Sequence, residues 1–260
     1  MQRVITITSR ENPLVARIRR LTGQADAYRK QGKVWLEGEH LCRAWIERHG
    51  GQDVQAVIDE TSWHAGVLAD VAGACSAVAV VPASLMSAMS SLDTPTAIAF
   101  AVDWPGEGTV RPGRAAIVLD RLQDPGNVGT ILRSAAAFGF GQVIALHGTA
   151  ALWAPKVMRA AMGAHLGLNL VEGASLDALD ALEMPLLGTS SHSMVDICSA
   201  RLPWPCAWVV GNEGQGVAEA LVDRCEQLLR IPQPGGEESL NVSIAASICM
   251  YESARRSLPA

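Results

Sequence analysis

The sequence is poor in aromatic and charged residues and lacks several common motifs. Three Phe and two Tyr among 260 residues argue against an RNA-binding sheet that stacks bases on aromatic side chains. Charged residues are 18% and apolar residues 49% of the chain, the reverse of a disordered composition. The pattern GxGxxG is missing, which argues against an ordinary dinucleotide-binding fold. The chain should therefore bury real hydrophobic cores.

Long apolar runs are also missing. No stretch reaches the roughly 18 unbroken apolar residues that a membrane helix needs. The start, MQRVITITSRENP, has no basic segment followed by an apolar one, as a secretion signal would have. We therefore expect a soluble, cytoplasmic chain.

The cysteines form no metal-binding or disulfide pattern. None occurs in a CxxC pair, and no His lies near them at zinc-ligand spacing. We expect no metal site, no structural disulfide, and thiols that act as small buried apolar residues. The six are Cys42, Cys75, Cys198, Cys206, Cys225 and Cys249.

The charge is distributed unevenly. Residues 1–48 hold ten basic and five acidic side chains, a net +5, whereas the remainder holds eleven basic and 21 acidic, a net −10. A basic arm on an acidic body is typical of a chain that meets a polyanion at one end. Arg17, Arg19 and Arg20 in VARIRRL are candidate contacts. A solvated helix face is the alternative interpretation and stays open from charge alone.

Two α/β domains are predicted. Residues 1–105 alternate short apolar runs with helical patterns, residues 106–113 form a linker rich in Pro and Gly, and residues 114–260 repeat the alternation. Nearly continuous apolar runs in the second half are typical of parallel strands buried on both faces. These runs are AAIVL (115–119), QVIAL (142–146), LNLV (168–171), PLLGT (185–189), AWVVG (207–211) and LLRI (228–231).

The first chemistry-bearing segment is DRLQDPGNVGTILR, residues 120–133. Asp124 and Pro125 predict a helix start, as N-cap and first helical residue. Arg133 lies among apolar and small residues, which predicts a buried or half-buried guanidinium. It would need either an anionic ligand or a core acid, and the segment alone does not decide between them.

Two further glycine-bearing segments follow predicted strands. AWVVGNEGQGV, residues 207–217, turns tightly beyond a strand's carboxyl end, where α/β folds bind ligands. LLRIPQPGGEESLNVSIAAS, residues 228–247, predicts a helix that begins at Ser239, with Asn241 in its first turn. Leu240, Ile244 and Ile248 would form an apolar stripe, widened by Ala245 and Cys249.

In this order, the three segments resemble the SpoU (TrmH-type) family of RNA 2′-O-ribose methyltransferases, part of the SPOUT superfamily. The resemblance covers residues 114–260. RAAMGAHLGL (159–168) is similar to the family's connection between its first two motifs. SRENPLVARIRRL and VWLEGEHL resemble its N-terminal, L30e-like substrate-binding domain. The chain departs at Pro95-Thr96-Ala97, where the family has Pro-Gln-Gly, and at Gln233-Pro234 in the cofactor loop.

The resemblance implies an α/β fold whose parallel-sheet SPOUT domain contains a trefoil knot and forms a homodimer. It implies transfer of a methyl group from S-adenosylmethionine to a ribose 2′-OH of 23S rRNA, without a metal. The implied cofactor residues are Thr189, Gly211, Ile231 and Leu240. The implied catalytic residues are Arg133, Ser239, Asn241, Asn127 and Glu213. Family proposals give Arg133 the deprotonation of the 2′-OH, but because a guanidinium is hard to deprotonate, we expect it instead to hold the adjacent phosphate and support charge on the oxygen. Ser239 and Asn241 would orient the hydroxyl, and Asn127 and Glu213 would hold the loops and Arg133.

Three alternatives remain at this point. A tRNA could be the substrate, although the N-terminal domain favours rRNA. A non-catalytic RNA-binding protein could use the same scaffold, but it would not need Arg133 and Asn241. A small-molecule nucleotide-binding protein would not need the basic N-terminal arm.

Overall fold

The computed structural model describes residues 2–236 and 239–258 and divides into two compact units. The first comprises residues up to Gly106 together with Trp153–Arg159, and the second comprises Glu107–Leu152 and residues from Ala160 on. The segment predicted to be a linker is bonded within the second unit. There Asn169 Nδ2 donates to the Thr109 carbonyl, and the Arg111 N–H donates to Gln142 Oε1.

The first unit is built on a mixed five-stranded sheet of order β1-β4-β3-β5-β2. β4 pairs in parallel with β1 and β3, whereas β5 runs antiparallel to β3 and β2. The elements up to residue 106 are β1 (Arg3–Thr6), α1 (Pro13–Gly23), α2 (Ala27–Gln31), β2 (Lys33–Glu37), α3 (Glu39–His49), β3 (Gln55–Asp59), α4 (Glu60–His64), α5 (Ala69–Gly73), β4 (Ala77–Val81), α6 (Ala83–Met89) and β5 (Ile98–Asp103).

The second unit is built on a parallel six-stranded sheet of order β11-β9-β10-β6-β7-β8. The predicted α/β fold with a parallel sheet is thereby confirmed. The elements from residue 107 on are β6 (Ala116–Leu119), α7 (Pro125–Ala137), β7 (Gln142–Leu146), α8 (Pro155–Ala161), a 3-10 segment (Ala164–Gly167), β8 (Asn169–Ala174), a second 3-10 segment (Asp177–Leu182), β9 (Leu186–Thr189), β10 (Ala207–Val210), α9 (Glu219–Val222), β11 (Gln227–Leu229) and α10 (Val242–Ser257).

Helix α7 begins where the sequence predicts. The Asp124 side chain accepts from the Asn127 N–H (2.7 Å), and Pro125 occupies the first helical position. Helix α10 begins later than predicted. Its N-cap is Asn241, whose Oδ1 accepts from the Ser243 and Ile244 N–H groups, so Ser239 lies before the helix. An Asn carbonyl oxygen two residues closer to the first turn caps these donors instead of the Ser hydroxyl.

Other differences have local causes. The sequence of residues 62–73 has one continuous helical pattern, but it forms α4 and α5 on either side of Gly66, whose φ of +70° is incompatible with a right-handed helix. The sequences of residues 217–227 and 175–182 (SLDALDAL) also have helical patterns, but only Glu219–Val222 forms an α-helix, α9, and Asp177–Leu182 forms a 3-10 segment. β11 ends at Leu229 rather than residue 231, because Arg230 pairs with Asp196. β1 was not predicted, since four mostly exposed residues give no apolar run.

The core of the second unit lies on both faces of the central strands. Every residue of β6, β7 and β10 is buried, so the predicted burial on both faces is correct for these strands. Four cysteines are buried, as predicted, but Cys198 is exposed and Cys225 is half-buried. In the described residues no helix is long and apolar enough to cross a membrane.

Helices α7 and α10 pack side by side and run in the same direction. Asn127 bonds to Asn241 near the two helix starts, and the Ser134 and Ser247 hydroxyls meet at 2.7 Å about two turns later. Across the sheet side of α10, the fully buried Trp208 donates its indole N–H to Ser253 Oγ (2.9 Å). This bond fixes α10 against β10.

Replacing Ser253 with Ala should lower the free energy of unfolding by about 1–3 kcal/mol, because the buried indole N–H loses its acceptor. Ser257→Ala is the matched control, since that exposed hydroxyl donates only to the Ala254 carbonyl of its own helix. Urea unfolding followed by tryptophan fluorescence measures both. Equal stability of the two variants would contradict the assigned role of the bond.

Candidate active site

A pocket opens where three parallel strands of the second unit end. Thr189 is the last residue of β9, Gly211 follows β10, and Ile231 lies two residues beyond β11. Its volume is about 390 Å³, within the range of sites for small organic ligands. Because the carboxyl ends of parallel strands leave backbone groups without sheet partners, they are the usual ligand edge of such folds.

Seven of the predicted site residues line this pocket. They comprise the four predicted cofactor residues and three of the five predicted catalytic ones: Thr189, Gly211, Ile231, Leu240, Glu213, Ser239 and Asn241. Asn127 bonds to two of these residues without lining the pocket. The structure therefore brings together segments that lie far apart in the sequence.

Gly211 is held in a close approach of two backbone segments. A Cβ at this position would lie 2.2 Å from the Gly216 carbonyl carbon and the Val217 nitrogen. No side chain fits that gap, so the strand turns directly into the loop that walls the pocket.

One wall of the pocket carries an unpartnered acceptor. Gln233 lines the pocket, and its Oε1 is buried without a hydrogen-bond partner among the described residues. A buried amide oxygen without a donor costs free energy unless a ligand or water supplies one. An amino or hydroxyl group of an adenosine-type ligand would satisfy it, so the residues present fit the implied cofactor.

Two amide side chains and one carboxylate, joined by hydrogen bonds, connect the three predicted motifs. Asn241 Nδ2 donates to Asn127 Oδ1 (3.0 Å), and Asn127 Nδ2 donates to Glu213 Oε1 (3.1 Å). We call these three residues the amide relay. Asn127 is 86 residues from Glu213 and 114 from Asn241.

The orientation of the amide relay is fixed by donors at its end. Asn241 Oδ1 accepts from the Ser243 N–H (2.9 Å) and the Ser243 hydroxyl (2.6 Å), so its Nδ2 must face Asn127. Asn127 must then present Oδ1 to Asn241 and Nδ2 to the Glu213 carboxylate, which can only accept. Each amide nitrogen retains one hydrogen that the relay does not use.

Arg133 differs from its prediction. It is exposed rather than buried or half-buried, and it does not line the pocket. No acid within the described ranges pairs with it, so the core salt bridge considered for this residue is absent there. Apolar neighbours in the sequence suggested burial, but residue 133 falls on the side of α7 away from Val128, Ile131 and Leu132, which are buried.

The predicted apolar stripe of α10 is only partly buried. Leu240 precedes the helix and is exposed, Ile244 is exposed by 50%, and Ala245 and Ile248 are half-buried, whereas Cys249 is buried as predicted. Ser243, Ala246, Met250 and Ser253 complete the buried face with Cys249. Tyr251 is exposed as well and contacts the Phe138 ring edge-on at 5.6 Å.

The three predicted RNA-binding arginines are exposed on α1 of the first unit. Val15, Ile18 and Leu21 form the buried stripe of this helix. Arg17 and Arg20 line one shallow surface pocket, which Arg19 does not. Arg17 also lines a second, with Arg3 and Asn12.

Asp120 and Arg121 bond to the loop that lines the pocket and were not predicted from the sequence. Asp120, almost fully buried, and Arg121 form an ion pair at the end of β6 and bond to the loop after Gly211. The hydrogen bonds to Asp120 raise the pKa of Arg121. Their position immediately after a predicted strand is the sequence feature that could have identified them as site residues. Among the described residues, no group of three or more His, Cys, Asp or Glu is arranged to hold a metal ion.

Comparison with known proteins matches this chain to one family. The profile of the SpoU rRNA Methylase family matches residues 114–251. A tRNA/rRNA methyltransferase of Synechocystis sp., itself uncharacterized, is 30% identical over 97% of this chain and 94% of its own length. The 23S rRNA (guanosine(2553)-2′-O)-methyltransferase RlmP of Bacillus subtilis is 32% identical over 85% of this chain and 88% of its own.

A solved structure agrees. The AdoMet-bound rRNA methyltransferase of Sinorhizobium meliloti is 26% identical, superposes with a TM-score of 0.84, and covers 98% of this chain and 99% of its own. With the family profile spanning more than half of the chain and a full-length relative at 30% identity, the chain belongs to the SpoU rRNA methylase family.

Proposed function

We propose that this protein transfers a methyl group from S-adenosylmethionine to a ribose 2′-OH of ribosomal RNA. The amide relay carries the proposal, because it links three remote segments at the mouth of a pocket that fits the cofactor. 23S rRNA is the proposed substrate, because the Bacillus subtilis relative is named for it and resembles this chain over most of its length. We also propose a cytoplasmic location, in keeping with this substrate and cofactor.

Backbone and side chains at the strand ends would hold the cofactor. We assign this role to Thr189, Gly211, Ile231 and Leu240, with Gln233 Oε1 as an additional acceptor. When bound, S-adenosylmethionine supplies a methyl group already activated on a sulfonium centre. The protein's part is then to place a hydroxyl oxygen in line with it and exclude other geometries.

The polar groups beside the pocket would orient the ribose hydroxyl. The Ser239 hydroxyl has no hydrogen-bond partner within the described residues, and Asn241 Nδ2 retains one hydrogen beyond the relay. Both can hold the 2′-OH. Asn127 and Glu213 keep Asn241 in place, and Arg133 would stabilise negative charge that develops on the oxygen and hold the adjacent phosphate.

Because Arg133 is outside the pocket wall, we propose that a homodimer brings it to the site. The exposed apolar residues Ile244 and Tyr251 on α10 lie beside α7, which carries Arg133. An interface across this face would cover those side chains and place one chain's Arg133 near its partner's pocket.

We also propose a trefoil knot and an L30e-like N-terminal domain. Support for the knot comes from the strand order, in which β11 lies at the sheet edge while the following α10 returns to contact α7 and β10. In this proposal, residues 1–105 form the RNA-binding domain, residues 106–113 link the two domains, and residues 114–260 form the catalytic domain.

Cofactor binding should not depend on a metal. Calorimetric titration of the purified protein with S-adenosylmethionine should give the same dissociation constant with and without EDTA, because the pocket offers backbone and amide groups rather than a cluster of metal ligands. Loss of binding on chelation would contradict this assignment. Absence of any binding would overturn the proposed function itself.

Arg17 and Arg20 should contribute to RNA affinity through phosphate contacts. Replacing both with Ala should weaken RNA binding and flatten its salt dependence by about one unit of slope per lost contact. Arg19→Ala measures the contribution of the third predicted arginine separately, since Arg19 lies outside the shared surface pocket. If the salt dependence of RNA binding is unchanged in the double variant, these arginines do not contact phosphates and only form a solvated helix face.

Arg133→Ala should reduce methyl transfer about a hundredfold or more, because charge on the 2′-oxygen loses its stabilising cation. Arg133→Lys should restore little, since an ammonium cannot reproduce the planar fork. Thermal midpoint and cofactor affinity should stay near those of the parent protein. If the rate of methyl transfer per folded molecule also stayed near that of the parent protein, Arg133 would have no catalytic role.

Mixing two inactive variants tests whether the site is shared. In mixed dimers of Arg133→Ala and Asn241→Ala chains, one pocket would combine an intact Asn241 with the partner's intact Arg133. If both variants are inactive and chains exchange freely, about a quarter of the parent activity should return, because half of the dimers are mixed and each has one complete site. No recovery, despite exchange verified by mass, would assign Arg133 to its own chain's pocket.

A further inference from the structure

Asp120 and Arg121, which follow β6, bond to both ends of the loop that leaves β10. This loop, residues 211–218, contributes Gly211, Asn212, Glu213, Gly216 and Val217 to the pocket. No role in the proposed reaction has been assigned to the pair. We call Asp120 and Arg121, with their bonds to the loop, the loop clamp.

Asp120 fixes the far end of the loop. Its side chain is almost fully buried, and its Oδ2 accepts from the Ala218 N–H at 2.8 Å. The same carboxylate accepts two bonds from Arg121, Nε to Oδ1 at 2.8 Å and Nη2 to Oδ2 at 2.9 Å. A buried carboxylate is stable only when paired and hydrogen-bonded in this way.

Arg121 fixes the near end and the middle of the loop. Its carbonyl accepts from Asn212 Nδ2 (3.1 Å), and Asn212 Oδ1 in turn accepts from the Gly214 and Gln215 N–H groups. Its guanidinium donates through Nη1 to Gln215 Oε1 (2.9 Å) and through Nη2 to the Gly216 carbonyl (3.5 Å). One residue thereby contacts the loop at three places.

The backbone of Arg121 is held in an unfavourable conformation. Its φ is +56°, in the left-handed region that residues with a Cβ rarely adopt. Such strain persists only where surrounding contacts over-determine it, and it concentrates at functional sites. With this φ, the Arg121 carbonyl accepts from Asn212 Nδ2, and the Arg121 side chain folds back to bond to the Asp120 carboxylate.

From this geometry we infer that Asp120 and Arg121 are positioning residues that hold the 211–218 loop in its cofactor-binding shape. The inference rests on the proposed function, because it takes the pocket to be the S-adenosylmethionine site. A loop held in advance loses little conformational entropy when the ligand binds. The clamp should therefore act on cofactor affinity and leave the chemical step of bound enzyme unchanged.

The variant Arg121→Gly separates this role from a merely structural one. Glycine adopts a φ of +56° freely, and the backbone carbonyl stays available to Asn212, so only the guanidinium contacts are deleted. Glu183→Gly is the matched control. Like Arg121, Glu183 is a charged residue with positive φ (+52°), although it is exposed whereas Arg121 is half-buried. It precedes β9 and therefore lies at the opposite end of the strand from the pocket.

Two measurements are made on the parent protein and both variants. Amide hydrogen exchange without ligand should be faster across residues 214–218 in Arg121→Gly than in the parent, while β10 is unaffected. The dissociation constant for S-adenosylmethionine should rise about tenfold in this variant, equivalent to about 1.4 kcal/mol. The rate of methyl transfer at saturating cofactor should stay within about twofold of the parent's. The variant would therefore raise the KM for S-adenosylmethionine and leave kcat nearly unchanged.

The outcomes separate the two proposals. A parent protein that binds no S-adenosylmethionine would refute the proposed function, whatever the exchange rates of the loop. If the parent binds but Arg121→Gly matches it in loop exchange or in affinity, the clamp has no positioning role. Equal loss of affinity in Arg121→Gly and Glu183→Gly would also overturn the inference, since it would reflect general destabilisation.

Discussion

The contact between Asn127 and Asn241 is the constraint on which the candidate site depends. It ties the first turn of α7 to the N-cap of α10, across 114 residues of sequence. Because Asn241 Oδ1 is committed to capping α10, the amide can meet Asn127 only through its nitrogen. One residue therefore starts a helix, joins two helices and presents a remaining donor beside the pocket.

Glu213 extends this constraint to the loop after β10. A carboxylate can only accept, so it selects the orientation of Asn127 as firmly as Asn241 does from the other side. The loop clamp holds the same loop from the direction of β6. This part of the pocket wall is thus bonded from two sides, whereas Gln233, which also lines the pocket, has a buried Oε1 without a hydrogen-bond partner among the described residues. Donors that are already fixed in position, together with an acceptor that has no partner, allow a polar ligand to bind with little rearrangement of the site.

Much of this fold could be predicted from local sequence. Continuous apolar runs identified the parallel strands, and Asp124-Pro125 identified the start of α7, because burial on both faces and helix capping leave local patterns. The residues that line the pocket could be named only through the family resemblance. The start of α10 was misplaced by two residues, since Ser239 and Asn241 are both good caps and tertiary bonding to Asn127 favours the second.

What local sequence could not provide is the direction in which side chains point. Arg133 has apolar neighbours in the chain, yet the 3.6-residue period of α7 turns it towards solvent while Val128, Ile131 and Leu132 face the core. The same period turns Ile244 outward on α10. Within the described residues, Arg133 has no acidic partner, and the neighbouring helix exposes the apolar side chains of Ile244 and Tyr251. In the proposed homodimer, a second copy of the chain would cover these apolar side chains and bring Arg133 to the ligand edge of the sheet, which would give the two deviations from prediction one common explanation.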